Sequence, residues 1–267
     1  MHMKRITILP LFIGLFSLSF MLSCSEGGGI NIFSVDEDIA LGAQIDAEIM
    51  ADPATYPILS EATYADAYQY LYDIRDRILD GGQVYYKDQF AWKLRIINDD
   101  NTLNAFCTPG GYIYVYTGLI RYLDNEAELA GVIGHEIAHA DLRHVTDQLT
   151  EQYGISMLLT LILGQNQNVL TDLAVGFTSL AFSRGDESQA DEYSVIYLCP
   201  TDYTAYGAAG FFEKIEAEGG ESIPEFLSTH PSPENRVEDI YGHYDELGCG
   251  GEGTYEDRYQ DLIDALP

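Results

Sequence analysis

Positive charge is the scarcest commodity in this 267-residue chain: 13 Lys and Arg face 43 Asp and Glu, for a formal net charge of −30. A surface this acidic argues against nucleic acid as a partner and against direct binding to anionic lipid, although it could favour basic or unfolded polypeptides. Cysteine is also sparse, with Cys24, Cys107, Cys199 and Cys249 the only four. Beyond the N-terminal segment the odd count of three leaves at least one free thiol in any intramolecular pairing. No internal repeat and no convincing linker interrupts the chain after residue 35, so 36–267 reads as one domain with a sizeable core. Long apolar runs are missing there too. Residues 154–164 form a short one, below the length that spans a bilayer, and read as part of a core helix pair or as a lid or membrane-facing hairpin.

The one longer apolar run is N-terminal. Lys4 and Arg5 precede Ile6 to Leu22, the pattern of a secretory signal over residues 1–23. Met21-Leu22-Ser23-Cys24 resembles a bacterial lipobox, which makes Cys24 the expected lipidation site and residues 24–35 a flexible, Gly-rich tether. A plain cleaved signal and an uncleaved anchor are the alternatives. The expected location is the bacterial cell envelope, lipid-anchored, at the outer membrane facing the periplasm. In that oxidising compartment Cys199 and Cys249 are the expected disulfide, since both lie in Gly- or Pro-containing loops flanking C-terminal helices. A fully reduced set is the alternative.

The chemistry centres on His135-Glu136-Ile137-Ala138-His139. Two histidines four apart share one face of a helix and can bind one Zn²⁺, with Glu136 beside them as a general base. Asp124 or Asn125 can cap that helix, Glu126 and Glu128 suit its positive end, and apolar residues repeat at helical spacing to Leu142. Gly131 and Gly134 are poor helix formers, and their presence predicts close packing against another element. A catalytic zinc needs a third protein ligand. Glu187 is the candidate, with Asp191 one turn later placed to orient a ligand histidine; alone, this pair would read as a solvated acidic face.

These segments, together with Asn104 to Val115 upstream and Ser228-Thr229-His230-Pro231 to Arg236 downstream, occur in the order found in a gluzincin family. The chain resembles family forty-eight of the metallopeptidases, the family of the C-a-a-X prenyl-protein endopeptidases, from about Asp36 to about Tyr244. The resemblance implies one zinc per chain held by His135, His139 and Glu187, with Glu136 as base and Asp191 behind a ligand. It also puts His230 and Arg236 near substrate and transition state. His230 is either a catalyst or an inhibitory latch on the metal; its local sequence alone reads as a turn before Pro231. Two positions depart from the family pattern: Cys107 before the Pro-Gly-Gly turn, and Gly185-Asp186 before the third ligand. The implied function is a zinc metalloendopeptidase acting on unfolded or misassembled envelope proteins. The alternative is a latched, zinc-containing lipoprotein that binds clients or an assembly machine.

Helices are expected at about 35–50, 64–79, 124–142, 186–198, 205–218, 234–247 and 255–265, and strands near 92–98 and 112–116. The neighbouring Asn104-Ala105-Phe106 segment or the Tyr-rich strand is expected to present an edge to substrate backbone; a plain core strand is equally compatible with the latter. The expected fold is mainly α, an α+β zincin-like arrangement of a metal-binding helix pair with a small antiparallel sheet.

Overall fold

The computed structural model describes residues 23–24, 30–154, 158, 167–176, 180–218 and 224–267. The signal segment, apart from Ser23, lies outside them, as do residues 25–29 of the expected tether and nearly all of the apolar run 154–164. At the start of the described chain, β1 (Ser23–Cys24) pairs antiparallel with β2 (Ile30–Asn31).

The first helix, α1 (Val35–Ala51), begins at a capping box: Ser34 accepts from the Glu37 N–H, and Glu37 accepts from the Ser34 N–H. In α2 (Ala65–Asp80) the residues Ala67, Leu71, Ile74 and Ile78 recur every three to four positions and form its buried face. Three short strands follow: β3 (Lys93–Ile97), β4 (Ala105–Thr108) and β5 (Tyr112–Tyr116). Their order is β3-β5-β4, with β5 parallel to β3 and antiparallel to β4.

The sheet is therefore mixed, not antiparallel throughout. The Pro109-Gly110-Gly111 turn folds β5 back on β4, and the two glycines supply its positive φ values of 73° and 83°. β5 is then inserted between β4 and β3, which leaves β3 running parallel to it. A buried pair, Arg95 with Asp46 at 2.7 Å, joins the sheet to α1, and Tyr114 donates to the same carboxylate.

After α3 (Thr117–Tyr122) comes α4 (Glu126–Asp141), every residue of which is buried. Asn125 caps it by accepting from the Glu128 N–H at 3.0 Å. Its first residue, Glu126, is fully buried and is held by the hydroxyls of Tyr70 and Tyr203 and the guanidinium of Arg258, so three distant segments anchor the start of the helix. Around α4 pack α5 (His144–Tyr153), α7 (Arg184–Leu198) and α8 (Gly207–Ala217), while α6 (Gln167–Gly176) lies against α1. The remaining helices are α9 (Pro224–Thr229), α10 (Arg236–Leu247) and α11 (Glu256–Ala265).

Gly131 accounts for the closeness of the α4–α8 crossing: a Cβ there would lie 2.3 Å from the Ala208 backbone nitrogen. Cys199 and Cys249 form a disulfide that ties the end of α7 to the loop after α10, whereas Cys107 is buried and unbridged. Among the described residues no helix is long and apolar enough to cross a membrane. The result is a mainly helical α+β fold in which a small sheet and the surrounding helices, α2 and α11 among them, enclose one buried helix.

Candidate active site

The period of α4 places His135 and His139 one turn apart, and their Nε2 atoms lie 3.0 Å from each other. α7 starts at a second capping box, Ser183 with Asp186, and that register turns Glu187 inward against α4. Its carboxylate sits 3.4 Å from His135 Nε2 and 3.3 Å from His139 Nε2. His230, just after α9, completes a group of four buried residues whose potential ligand atoms all lie within 4.8 Å of one another.

Three observations fit this group to a divalent metal. Glu187 Oε1 and His230 Nε2 are buried with no hydrogen-bond partner among the described residues, an arrangement that costs free energy unless something satisfies it. The donors are imidazole nitrogens and a carboxylate oxygen, the set that suits zinc. The outward-facing ring atom of His135, moreover, faces a carboxylate: Nδ1 lies 2.9 Å from Asp191 Oδ1, an ion-pair contact, while Nε2 is aimed into the group.

Asp191 stands four residues after Glu187 and so shares its helix face. Arg236, fully buried at the start of α10, closes on both: Nη2 donates to Glu187 at 2.9 Å and to Asp191 at 2.8 Å, and Nε lies 2.7 Å from Asp191. The guanidinium rests on the Phe212 ring at 3.7 Å. Its Nη1 makes no hydrogen bond among the described residues. Arg236 is thus tied chiefly to the carboxylates of α7, with the Nη1 donors left over.

Glu136 is also fully buried, and neither of its oxygens has a hydrogen-bond partner among the described residues; the His230 ring approaches it, with Nε2 3.3 Å from Oε1. Burial pushes the Glu136 pKa up, but the neighbouring ring of His230, and then that of His135, outweighs it and holds the carboxylate below its usual range. His135 is depressed by burial yet lifted further by Asp191 and Glu187, to about 9. Burial dominates at His139, which falls to about 3 and is neutral at ordinary pH. Cys107 faces this cluster from β4. Burial and the negative charge of Glu136 raise its thiol well above the ordinary value, so it is a neutral lining group and not a nucleophile.

Two aromatic rings brace the site: Phe182 stacks on His139 at 3.8 Å and Phe226 on His230 at 4.4 Å. Asn104, Ala105 and Phe106 run into and along β4, an edge strand beside α4. All three are buried, and the Ala105 N–H is taken by the Asn104 side chain.

One site neighbour was not expected from the sequence. His144 Nδ1 lies 3.0 Å from His139 Nδ1, and its Nε2 lies 3.0 Å from Gln189 Oε1. The helix breaks at Arg143, whose φ of 65° is left-handed, so His144 follows His139 by five residues and escapes any rule based on helical spacing. The available signal was density: three of the six histidines fall within residues 135–144.

Comparison with known proteins agrees with this arrangement. A region of the mitochondrial metalloendopeptidase OMA1 of Arabidopsis thaliana is 36% identical over 148 residues, covering 55% of this chain and 30% of that protein. The β-barrel assembly-enhancing protease of Yersinia pestis is 26% identical over 229 residues, covering 80% of this chain and 45% of the relative. Its namesake from Escherichia coli K12 is 31% identical over 167 residues, covering 57% and 34%. This chain thus spans less than half the length of each of these relatives. The family model described as peptidase family M48 matches residues 67–243, which takes in the sheet, the paired histidines of α4, Glu187, His230 and Arg236. On that match and the geometry it encloses, the chain belongs to peptidase family M48.

Proposed function

We propose that this protein is a zinc-dependent metalloendopeptidase of the bacterial cell envelope that hydrolyses peptide bonds in misfolded or misassembled proteins. The observation that carries the reading is Glu136: a fully buried carboxylate with no hydrogen-bond partner among the described residues, next to the paired histidines in sequence and 3.3 Å from His230 of the same group. A binding protein would have no use for so costly a group. When bound there, zinc would supply Lewis acidity toward water and the scissile carbonyl.

The chain's own groups have separable tasks. Glu136 takes the proton of the attacking water and returns it to the departing amine. His230 Nε2 and the spare Nη1 of Arg236 are donors for the oxyanion. Asp191, neutralised by Arg236, orients His135. The edge of β4, from Asn104 through Ala105 to Phe106, pairs with extended substrate once the Asn104 side chain releases the Ala105 N–H that it holds at 2.9 Å. The envelope assignment is supported by the N-terminal signal pattern with Cys24, by a disulfide suited to an oxidising compartment, and by relatives named for β-barrel assembly.

A second reading has its own support. His230 is fully buried and lies among the four potential ligands, with Phe226 stacked on its ring at 4.4 Å. In that reading the resting protein is a latched lipoprotein whose proteolysis is suppressed. Zinc content and casein cleavage measured side by side separate the two. Glu136→Gln should retain zinc and lose about 10²- to 10⁴-fold in cleavage rate. Undiminished cleavage by that zinc-loaded variant would sink the mechanism. Zinc without cleavage in the wild type, relieved in His230→Ala, would establish the latch.

A further inference from the structure

We propose that His144 is a positioning residue: by accepting the Nδ1 proton of His139 it commits the Nε2 lone pair of that ring to the metal. The inference rests on the metal reading above and concerns how the chain prepares the site before any ion arrives.

His139 is placed between two possible hydrogen-bonding arrangements. With its proton on Nε2 it would bond inward, to His135 Nε2 at 3.0 Å or Glu187 Oε1 at 3.3 Å, and fill the space where the ligand atoms converge. With its proton on Nδ1 it bonds outward to His144 Nδ1 at 3.0 Å, and the inward nitrogen is bare. A neutral imidazole has one donor and one acceptor nitrogen, so the choice passes along the chain of contacts. If His144 Nδ1 accepts, its own proton is on Nε2, which faces Gln189 Oε1 at 3.0 Å. With its amide oxygen turned to His144, Gln189 accepts that proton, and His144 transmits the direction to His139.

His144 is well fixed for this task. It is 1% exposed and begins α5 directly after the left-handed Arg143. Arg143 in turn donates to Asp38 at 2.6 Å and to the Phe33 carbonyl, and Asn31 donates to Thr146 at 2.8 Å. The segment leading into α1 therefore pins both sides of His144. The two metal histidines consequently have different supports. His135 leans on the carboxylate of Asp191, and His139 leans on a neutral ring, where carboxylates, backbone carbonyls and water are the usual acceptors.

The test compares wild type, His144→Leu and His144→Asn, with folding checked by circular dichroism and zinc affinity measured by competition with a chromophoric chelator. Leu fills the volume but accepts nothing, and should weaken zinc about 10- to 100-fold. Asn places an oxygen where Nδ1 stood, and should recover most of that loss, which a purely space-filling role would not predict. Long-range proton–nitrogen spectra of ¹⁵N-histidine-labelled, zinc-free wild type supply a second readout that needs no variant. They should show His139 protonated at Nδ1 and His144 at Nε2. Wild-type affinity in His144→Leu, an Asn variant as weak as the Leu variant, or His139 protonated at Nε2 would each overturn the proposal while leaving the metal site intact. A wild type that binds no zinc at all would defeat the metal reading and this proposal with it.

Discussion

At the scale of single residues, buried charge is tolerated here because it is shared. Glu187 and Asp191 lie close together on one turn of α7, and Arg236 joins them in a fully buried contact that leaves His135 its acceptor. Asp38 is a less balanced case. Burial lifts its carboxyl from 3.8 to about 6, and the hydrogen bond and charge of Arg143 offset that only in part. A carboxyl whose folded pKa is raised binds its proton more tightly in the native state, so its contribution to stability declines as pH climbs from about 4 through 6. The stability of wild type relative to Asp38→Asn should therefore fall between pH 4.5 and pH 7, by at most about 3 kcal/mol. Urea denaturation at the two pH values measures it, and a wild-type advantage that grows with pH would show that the ion pair, not burial, governs the site.

At the scale of elements, much was legible because period and capping are local. The helix starting near Asn125, the helix carrying Glu187 and the Tyr-rich strand all fall close to where their patterns put them. The two glycines of α4 were also informative, and the structure separates them. A Cβ at Gly131 meets the backbone of Ala208 at 2.3 Å, whereas one at Gly134 meets the Ser194 hydroxyl at 3.0 Å, a side-chain atom that can shift by loosening its hydrogen bond to the Gly131 carbonyl. Replacement by Ala ordinarily favours a helix by about 1 kcal/mol. At Gly131 the clash should reverse the sign and leave a net loss of about 1–3 kcal/mol, with a smaller change at Gly134→Ala. Thermal unfolding of the two variants tests the ranking, and a Gly131→Ala protein more stable than wild type would refute the close crossing. The direction of β3 was not legible, because strand periodicity carries no information about which neighbour a strand will choose.

At the scale of the whole molecule, the Cys199–Cys249 bridge closes a 50-residue separation that contains α8, α9 and α10. In the chain-entropy model a loop of this length is stabilised by about 4 kcal/mol. Reduction, or paired replacement by Ser, should lower the unfolding free energy by about that amount, and an unchanged denaturation midpoint would show that the C-terminal helices hold without it. What the sequence determined unaided was everything set by spacing along one chain: the histidine pair of α4, the Glu187–Asp191 pair, the caps and the helix faces. Those features depend on backbone geometry within a few residues, which any reader of the chain can count. Tertiary structure alone decided the insertion of β5 between β3 and β4, the capture of Arg236 by two carboxylates, and the meeting of His139 with His144 and Gln189. Each of these joins groups across a chain break or between separate elements, where packing rather than period chooses the partner.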